Sequence, residues 1–125
     1  MPFECGICFG AIHFGDKGRK KKEMLVMDGV KFRLQKTMSD IAGKDPCCHN
    51  NSTDGAISCV RNFLNNKAGK SLPGESYFQS RYKKFQGGLP RLLAALKLTE
   101  AEINRLEYWK DFARTVDAWV KKFPN

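Results

Sequence analysis

Long apolar runs are missing from this 125-residue sequence, and acidic residues are few. No stretch approaches the roughly 18 consecutive apolar residues that a membrane-spanning helix needs, so we predict no membrane partner. Residues 1–14 lack the order of a charged segment followed by an apolar one, which is typical of secretory signal peptides. We therefore expect an intracellular protein, cytoplasmic or nuclear. Because 42% of the residues are hydrophobic, the chain is expected to fold around a core.

The shortage of acidic residues leaves a large positive charge. The chain has 13 Asp and Glu against 22 Lys and Arg, a formal net charge of +9. A surplus of this size is informative about partners rather than about fold. Each phosphate that a protein neutralises releases counterions, so phosphate backbones favour basic proteins. The charge therefore predicts non-catalytic binding to DNA or RNA, and the alternative is a small interaction or inhibitor module that binds an acidic protein surface.

The basic residues are concentrated in two stretches. Residues 17–36 hold eight basic and two acidic residues, and residues 61–97 hold eight and one. The segment 99–122 is neutral, with five of each sign. The cations predicted to contact phosphate are Lys17, Arg19, Lys20, Lys21, Lys22, Lys31, Arg33, Arg81, Lys83 and Lys84.

Residues 77–85 interleave aromatic with basic side chains. This composition is typical of nucleic-acid-binding surfaces, in which rings stack on bases and cations hold phosphates. On a helix, Tyr77, Arg81 and Lys84 fall on one face, which we predict to be exposed. The opposite set, assigned to the core, is Phe78, Tyr82 and Phe85.

The five cysteines are an odd number, and in an intracellular protein we do not expect disulfides. Cys5 and Cys8 have the spacing of a zinc knuckle, and zinc takes four ligands in a tetrahedron. The candidates for the remaining ligands are Cys47, Cys48, His49 and Cys59. The sequence therefore predicts a structural Zn²⁺ site, with five buried free thiols as the alternative.

A catalytic alternative centres on His49. Residues 48–51 read Cys-His-Asn-Asn, and Asn65 and Asn66 follow later. Histidine–metal nucleases are similar in using a general-base histidine and a later asparagine near a zinc-braced unit. The resemblance implies His49 as the catalytic residue of a metal-dependent nuclease. A second metal-binding histidine or carboxylate at suitable spacing is missing, so we favour binding without catalysis.

The predicted fold is a single α+β domain over residues 1–125. Residues 1–66 are expected to be a zinc-braced β and loop half, in which Asp28-Gly29 joins strands 23–27 and 30–34 as a β-hairpin. Alternation along the second strand predicts that Val30, Phe32 and Leu34 are buried, with Lys31 and Arg33 exposed. A further short strand is predicted at 11–14. Residues 44–58 are rich in turn formers and are expected to be irregular.

The second half, residues 75–123, is expected to contain about three helices and to pack on the first half. A helix at 58–66 with Val60, Phe63 and Leu64 inward precedes it, followed by a connector at 67–74. Gly87-Gly88 is expected to end a helix at 75–86, and Pro90 to begin another at 90–97. Thr99 and Glu102 predict a capping box that starts a helix running to 123. The predicted core residues of that helix are Leu106, Trp109, Ala113, Val116, Val120 and Phe123, with Tyr108, Phe112 and Trp119 widening the face.

Overall fold

The computed structural model describes residues 2–19, 21–33, 46–69 and 71–124. Within these ranges the chain forms five α-helices and a parallel sheet of two short strands. It divides into two compact units, Met1–Glu75 and Ser76–Asn125. The broad prediction of a small α+β protein is confirmed. Among the described residues, no helix is both long and apolar enough to cross a bilayer.

The first unit begins with helix α1, Pro2–Phe14, where we had predicted a cysteine knuckle and a short strand. Proline suits the first turn of a helix, because its missing N–H would have no partner there. At the other end, the N–H of Gly15 donates to the carbonyl of Ala11 at 3.1 Å, which continues the helical hydrogen-bond pattern. The strand prediction for residues 11–14 was therefore wrong. Cys5 is buried in this helix, whereas Cys8 is exposed.

The sheet pairs strands that are distant in sequence. Strand β1, Met27–Asp28, lies parallel to strand β2, Cys47–Cys48, with Met27 opposite Cys47. The N–H of Cys47 donates to Val26 at 2.9 Å, and the N–H of His49 donates to Asp28 at 2.9 Å. The predicted hairpin was therefore wrong, because β1 pairs with β2 instead of with residues 30–33.

The buried carboxylate of Asp28 explains the difference. It accepts hydrogen bonds from the N–H of Val30 at 3.3 Å and from Nε of Arg33 at 3.2 Å, so residues 28–33 fold into a local turn. A type I′ hairpin needs two positive φ angles, and neither Asp28 nor Gly29 has one. A Cβ at position 29 would lie only 2.0 Å from the Asn51 side chain, so glycine is needed for this close approach.

The turn also exposes two apolar side chains that we predicted to be buried. Val30 is 49% exposed and Phe32 is 65% exposed, and Phe32 has a φ of 61°. Lys31 and Arg33 are exposed, as predicted. Leu34, the third residue assigned to the buried face, lies outside the described residues. The alternation of apolar and basic residues at 30–33 therefore does not correspond to a paired strand.

The contact between Arg33 and Asp28 predicts a pH dependence. The Arg33 hydrogen bond lowers the pKa of Asp28 below its usual range, although burial opposes this effect. Because the folded-state pKa is lower than the unfolded one, the ionised carboxylate stabilises the fold at neutral pH. This contribution disappears as the pH falls from the usual aspartate range through the lowered pKa.

We expect Arg33→Gln to raise the pKa of Asp28, since it removes the largest cause of the shift. A titration followed by NMR of the side-chain carboxyl carbon measures this directly. Lys31→Gln removes a neighbouring exposed cation and serves as the control, with no change expected. An Asp28 pKa that is the same in the Arg33 variant and the wild type would contradict the assignment.

Helix α2, Thr53–Lys67, begins earlier than predicted because Ser52, not Ser58, is its N-cap. The Ser52 hydroxyl accepts a hydrogen bond from the N–H of Gly55 at 3.0 Å. The helix predicted at 58–66 is confirmed. Of the segment predicted to be irregular, residues 47–48 form β2 and residues 53–58 belong to α2. The buried residue of α2 is Cys59. Of the predicted inward face, Phe63 is half-buried, whereas Val60 and Leu64 are 39% and 49% exposed, so the prediction was wrong for these two.

A disulfide joins Cys47 of β2 to Cys59 of α2, with their Cα atoms 5.8 Å apart. The expectation that the cysteines would be unpaired thiols was therefore wrong for these two. Pairing of β2 with β1 and the early start of α2 bring the two cysteines together. Cys5, Cys8 and Cys48 are free.

The segment after α2 is held by side chains of that helix. Nε of Arg61 donates to the carbonyl of Pro73 at 2.9 Å, and the second terminal nitrogen donates to that of Leu72 at 2.8 Å. Asn65 accepts a hydrogen bond from the N–H of Leu72 at 2.8 Å. No helix or strand is assigned to the described residues between Lys67 and Glu75, which agrees with the predicted connector.

The second unit contains the long helix α3, Glu75–Ala95, which continues through Gly87, Gly88 and Pro90. The two predicted helices are therefore one. Gly88 does not end the helix but faces Trp119, whose Nε1 would lie 3.7 Å from a Cβ at this position. The helix ends at Ala95, and Lys97 two residues later has a φ of 56°, the left-handed conformation common after helix ends.

The capping box is confirmed at helix α4, Glu100–Ile103. The Thr99 hydroxyl accepts from the N–H of Glu102 at 3.2 Å, and the Glu102 carboxylate accepts from the N–H of Thr99 at 2.8 Å. Hydrogen bonding from the Thr99 side chain lowers the pKa of Glu102. The helix does not run on to residue 123, however. Extended backbone at Arg105 separates it from a 3₁₀ turn, Leu106–Tyr108, and from helix α5, Trp109–Lys122.

Trp119 belongs to the core of the second unit, as predicted, but several other residues of the predicted face are exposed. Leu106 is 90% exposed and Trp109 is 63% exposed, whereas Trp119 is only 7% exposed. The ring of Phe85 packs edge-on against Trp119, with their centroids 5.5 Å apart. The buried residues of this unit are Phe85, Leu93, Ile103, Thr115 and Trp119.

Candidate nucleic-acid interface

A cleft of about 660 Å³ opens in the second unit between α3 and the end of α5. Positions 77, 81, 84 and 88 are three or four residues apart, so they share one face of α3. The predicted row of Tyr77, Arg81 and Lys84 therefore lines one wall of the cleft. The opposite side chains, Phe78, Tyr82 and Phe85, are half-buried or buried as predicted. The other wall consists of Trp119, Lys122, Phe123 and Pro124.

Arg81 joins the two walls. Its guanidinium donates hydrogen bonds to the carbonyl of Phe123 at 2.6 Å and to that of Pro124 at 3.4 Å. Carbonyls at the end of a helix lack backbone partners, so a cation placed there stabilises the helix end. The guanidinium carbon also lies 5.1 Å from the centroid of the Trp119 ring and 5.8 Å from that of Tyr77, within the range of cation–π contact. Arg81 is thus held by both polar and aromatic neighbours.

Lys84 and Lys122 provide the exposed charge of the cleft. Within the described part of the chain, neither forms an ion pair with a carboxylate, whereas Lys121 pairs with Asp117 at 2.7 Å. Lys122 lies 5.8 Å from the ring centroid of Phe123. No acidic side chain is present among the described lining residues. The cleft therefore favours anions.

Aromatic surface is also accessible at the cleft. Phe123 is 48% exposed and Tyr77 is 37% exposed, while Trp119 lies buried beneath them. The Phe123 and Trp119 rings have centroids 5.4 Å apart. A cleft with exposed rings beside unpaired cations has the chemistry that binds the bases and phosphates of nucleic acids.

The cations of the first basic stretch lie in the first unit. Lys17, Lys21, Lys22 and Lys31 are exposed, and Lys20 lies outside the described residues. Arg19 pairs with Asp16 at 3.7 Å, and Arg33 pairs with Asp28. Lys83 is exposed on α3 but does not line the cleft.

The predicted zinc ligands are distributed over several elements. Cys5 and Cys8 are on α1, Cys48 is in β2 and donates a hydrogen bond to Asn50 at 3.0 Å, and the sulfur of Cys59 is bonded to Cys47. In the described ranges, no three His, Cys, Asp or Glu residues form a group that could hold a metal ion. The disulfide occupies the sulfur atoms of Cys47 and Cys59, whereas Cys5, Cys8 and Cys48 are free thiols, and Zn²⁺ binding stays a prediction.

His49, the predicted nuclease residue, is half-buried after β2. Its backbone N–H donates to Asp28 and its carbonyl accepts from the N–H of Ser52 at 2.9 Å. It belongs to no metal-binding group within the residues that the structure describes. A catalytic role for His49 stays a hypothesis.

Sequence reasoning missed the second wall of the cleft. Trp119 and Phe123 were interpreted as core residues, and Lys122 belongs to a segment with no net charge. The signal available was the sequence Lys-Lys-Phe at 121–123, which repeats the interleaving of cations and rings found at 83–85. No protein-family model matches the chain, and no match is found among curated proteins or solved structures.

Proposed function

We propose that this protein binds nucleic acid without cleaving it, and that the cleft of the second unit is a principal contact site. One observation supports this most strongly: Lys84, Lys122 and two exposed rings line a cleft that has no acidic side chain among its described residues. The net charge of +9 supports the same conclusion, since it attracts polyanions over longer distances. The exposed lysines of the first unit add further phosphate contacts.

A salt titration tests this proposal. Log affinity for an oligonucleotide should fall linearly with log salt concentration, with a slope of about −0.9 per neutralised phosphate for duplex and about −0.7 for single strands. We expect the double variant Lys84→Ala/Lys122→Ala to make this slope shallower by about 1.4 to 1.8. Fluorescence anisotropy of a labelled oligonucleotide measures both the affinity and the slope.

A matched control is Lys110→Ala/Lys121→Ala, which removes the same charge from α5 outside the cleft. It should change the slope much less. A triple variant of Lys20, Lys21 and Lys22 to alanine measures the contribution of the first basic stretch separately.

Failure of the folded protein to bind DNA or RNA in about 50 mM salt would contradict the proposal and favour an acidic protein partner. Cleavage that needs a divalent metal ion and disappears in His49→Ala would instead favour the nuclease. Equal effects of the cleft and control variants would show that binding depends on overall charge and not on the cleft.

A further inference from the structure

We infer that the cleft takes an unpaired base of a single strand, so that the protein prefers single-stranded nucleic acid to duplex. This inference rests on the proposed function and specifies its substrate class. It depends on three properties of the cleft: a continuous series of flat groups, the placement of the cations and the volume.

The flat groups form an unbroken series across the cleft. The Arg81 guanidinium lies 5.8 Å from the Tyr77 ring centroid and 5.1 Å from that of Trp119, and the Trp119 and Phe123 centroids are 5.4 Å apart. Aromatic rings and guanidinium planes are the groups on which unpaired bases stack. In a duplex, the faces of each base are covered by the neighbouring bases, so this surface is useful only to a strand whose bases are free.

The two ends of this series differ in exposure from its middle. Trp119 is 7% exposed, whereas Tyr77 and Phe123 are 37% and 48% exposed. A base can therefore stack at the outer rings, while Trp119 and the hydrogen-bonded Arg81 hold the surface in place. Because Arg81 already donates to the Phe123 and Pro124 carbonyls, the platform is largely formed before a ligand binds.

The cations flank the platform. Lys84 projects from α3 and Lys122 from the end of α5, so each wall carries one lysine. Phosphates on either side of a stacked base could be neutralised in this way, with no acidic side chain among the described lining residues to repel them. The charge therefore complements a backbone that passes across the cleft.

The volume suits a nucleotide unit. Sites for small ligands commonly enclose about 300–1,000 Å³, and the cleft of about 660 Å³ lies within this range. Such a space accommodates a base with its sugar. A duplex would contact only the rim, and its affinity would then depend on phosphate alone.

Trp119 provides a direct probe. The chain has two tryptophans, and Trp109 is 63% exposed and outside the cleft, so Trp109→Phe in the full chain leaves Trp119 as the only indole. In this background we expect a short single strand to bind about tenfold or more tightly than the matching duplex at equal salt, because each stacked base adds about 5- to 150-fold. Binding of the single strand should also change the emission of Trp119.

The second arm removes an aromatic face. Phe123→Leu keeps an apolar side chain beside Trp119 but lacks a ring, so the affinity for the single strand should fall about 5- to 150-fold while the affinity for duplex is unchanged. As a control, Trp109→Leu is compared with the Trp109→Phe background; it removes another exposed ring of α5 and should have no such effect. Circular dichroism confirms that each variant is folded.

The possible failures are distinguishable. Equal affinities for single strand and duplex, with unchanged Trp119 emission, would overturn the inference and leave the proposed function standing. The inference would also be overturned, with the proposed function still standing, if the Phe123→Leu variant bound the single strand as tightly as the Trp109→Phe background. Binding to neither form in about 50 mM salt would overturn both proposals.

Discussion

Trp119→Ala is expected to lower the free energy of unfolding of the second unit by about 3–5 kcal/mol. The indole is 7% exposed and packs edge-on against Phe85. Its loss leaves a cavity and also removes the ring over which Arg81 lies. Since small domains have about 5–15 kcal/mol of stability in total, the variant should unfold in far less urea than the wild type. Far-UV circular dichroism during urea unfolding measures the change.

The matched control for this prediction is Trp109→Ala. Trp109 is 63% exposed on the same helix, so its removal should change the unfolding free energy by about 0.5 kcal/mol or less. Both variants replace tryptophan with alanine in α5, so the difference between their unfolding free energies reflects burial of the side chain and not helix propensity. Equal destabilisation by both would show that the core face of α5 is not the one that contains Thr115 and Trp119.

Reduction of the Cys47–Cys59 disulfide is expected to lower the unfolding free energy of the first unit by about 3 kcal/mol. The two cysteines are 12 residues apart in sequence, and the bond closes this loop in the unfolded chain. Opening it raises the conformational entropy of the unfolded state and therefore favours unfolding. Urea unfolding with and without reductant measures the change in stability.

Thiol counting provides an independent check of the disulfide. Alkylation and mass spectrometry of the untreated, unfolded protein should detect three thiols, those of Cys5, Cys8 and Cys48, and five after reduction. The double variant Cys47→Ala/Cys59→Ala should be insensitive to reductant, while Cys8→Ala should respond as the wild type does. Five reactive thiols before reduction would contradict the disulfide.

The disulfide also bears on the zinc prediction. A zinc ligand must be a thiolate, and a sulfur atom in a disulfide cannot supply one. Cys47 and Cys59 can therefore either bind zinc as thiolates or form the disulfide, but they cannot do both at once. The same two residues also hold β2 against α2, so either state would connect these elements.

Local patterns predicted the parts of the candidate site that lie within one element. The row of Tyr77, Arg81 and Lys84 followed from helical spacing, and the structure places all three at the cleft. The second wall could not be predicted in this way, because which face of α5 meets α3 depends on packing. Several apolar faces are available on that helix. In addition, Gly88, which leaves room for Trp119, is typical in sequence of a residue that ends a helix.

The sequence by itself determined the positive charge, the capping box at Thr99, the turn conformation near Asn50 and Asn51, and the amphipathic character of α3. These features depend on contacts between residues a few positions apart, whose geometry the backbone dictates. Only the tertiary structure decided that β1 pairs with β2, that Cys47 bonds Cys59, and that Arg81 bridges to the end of α5. Each of these brings together residues between 12 and 43 positions apart, and local spacing contains no information about which distant partner gives the best packing and the most complete hydrogen bonding.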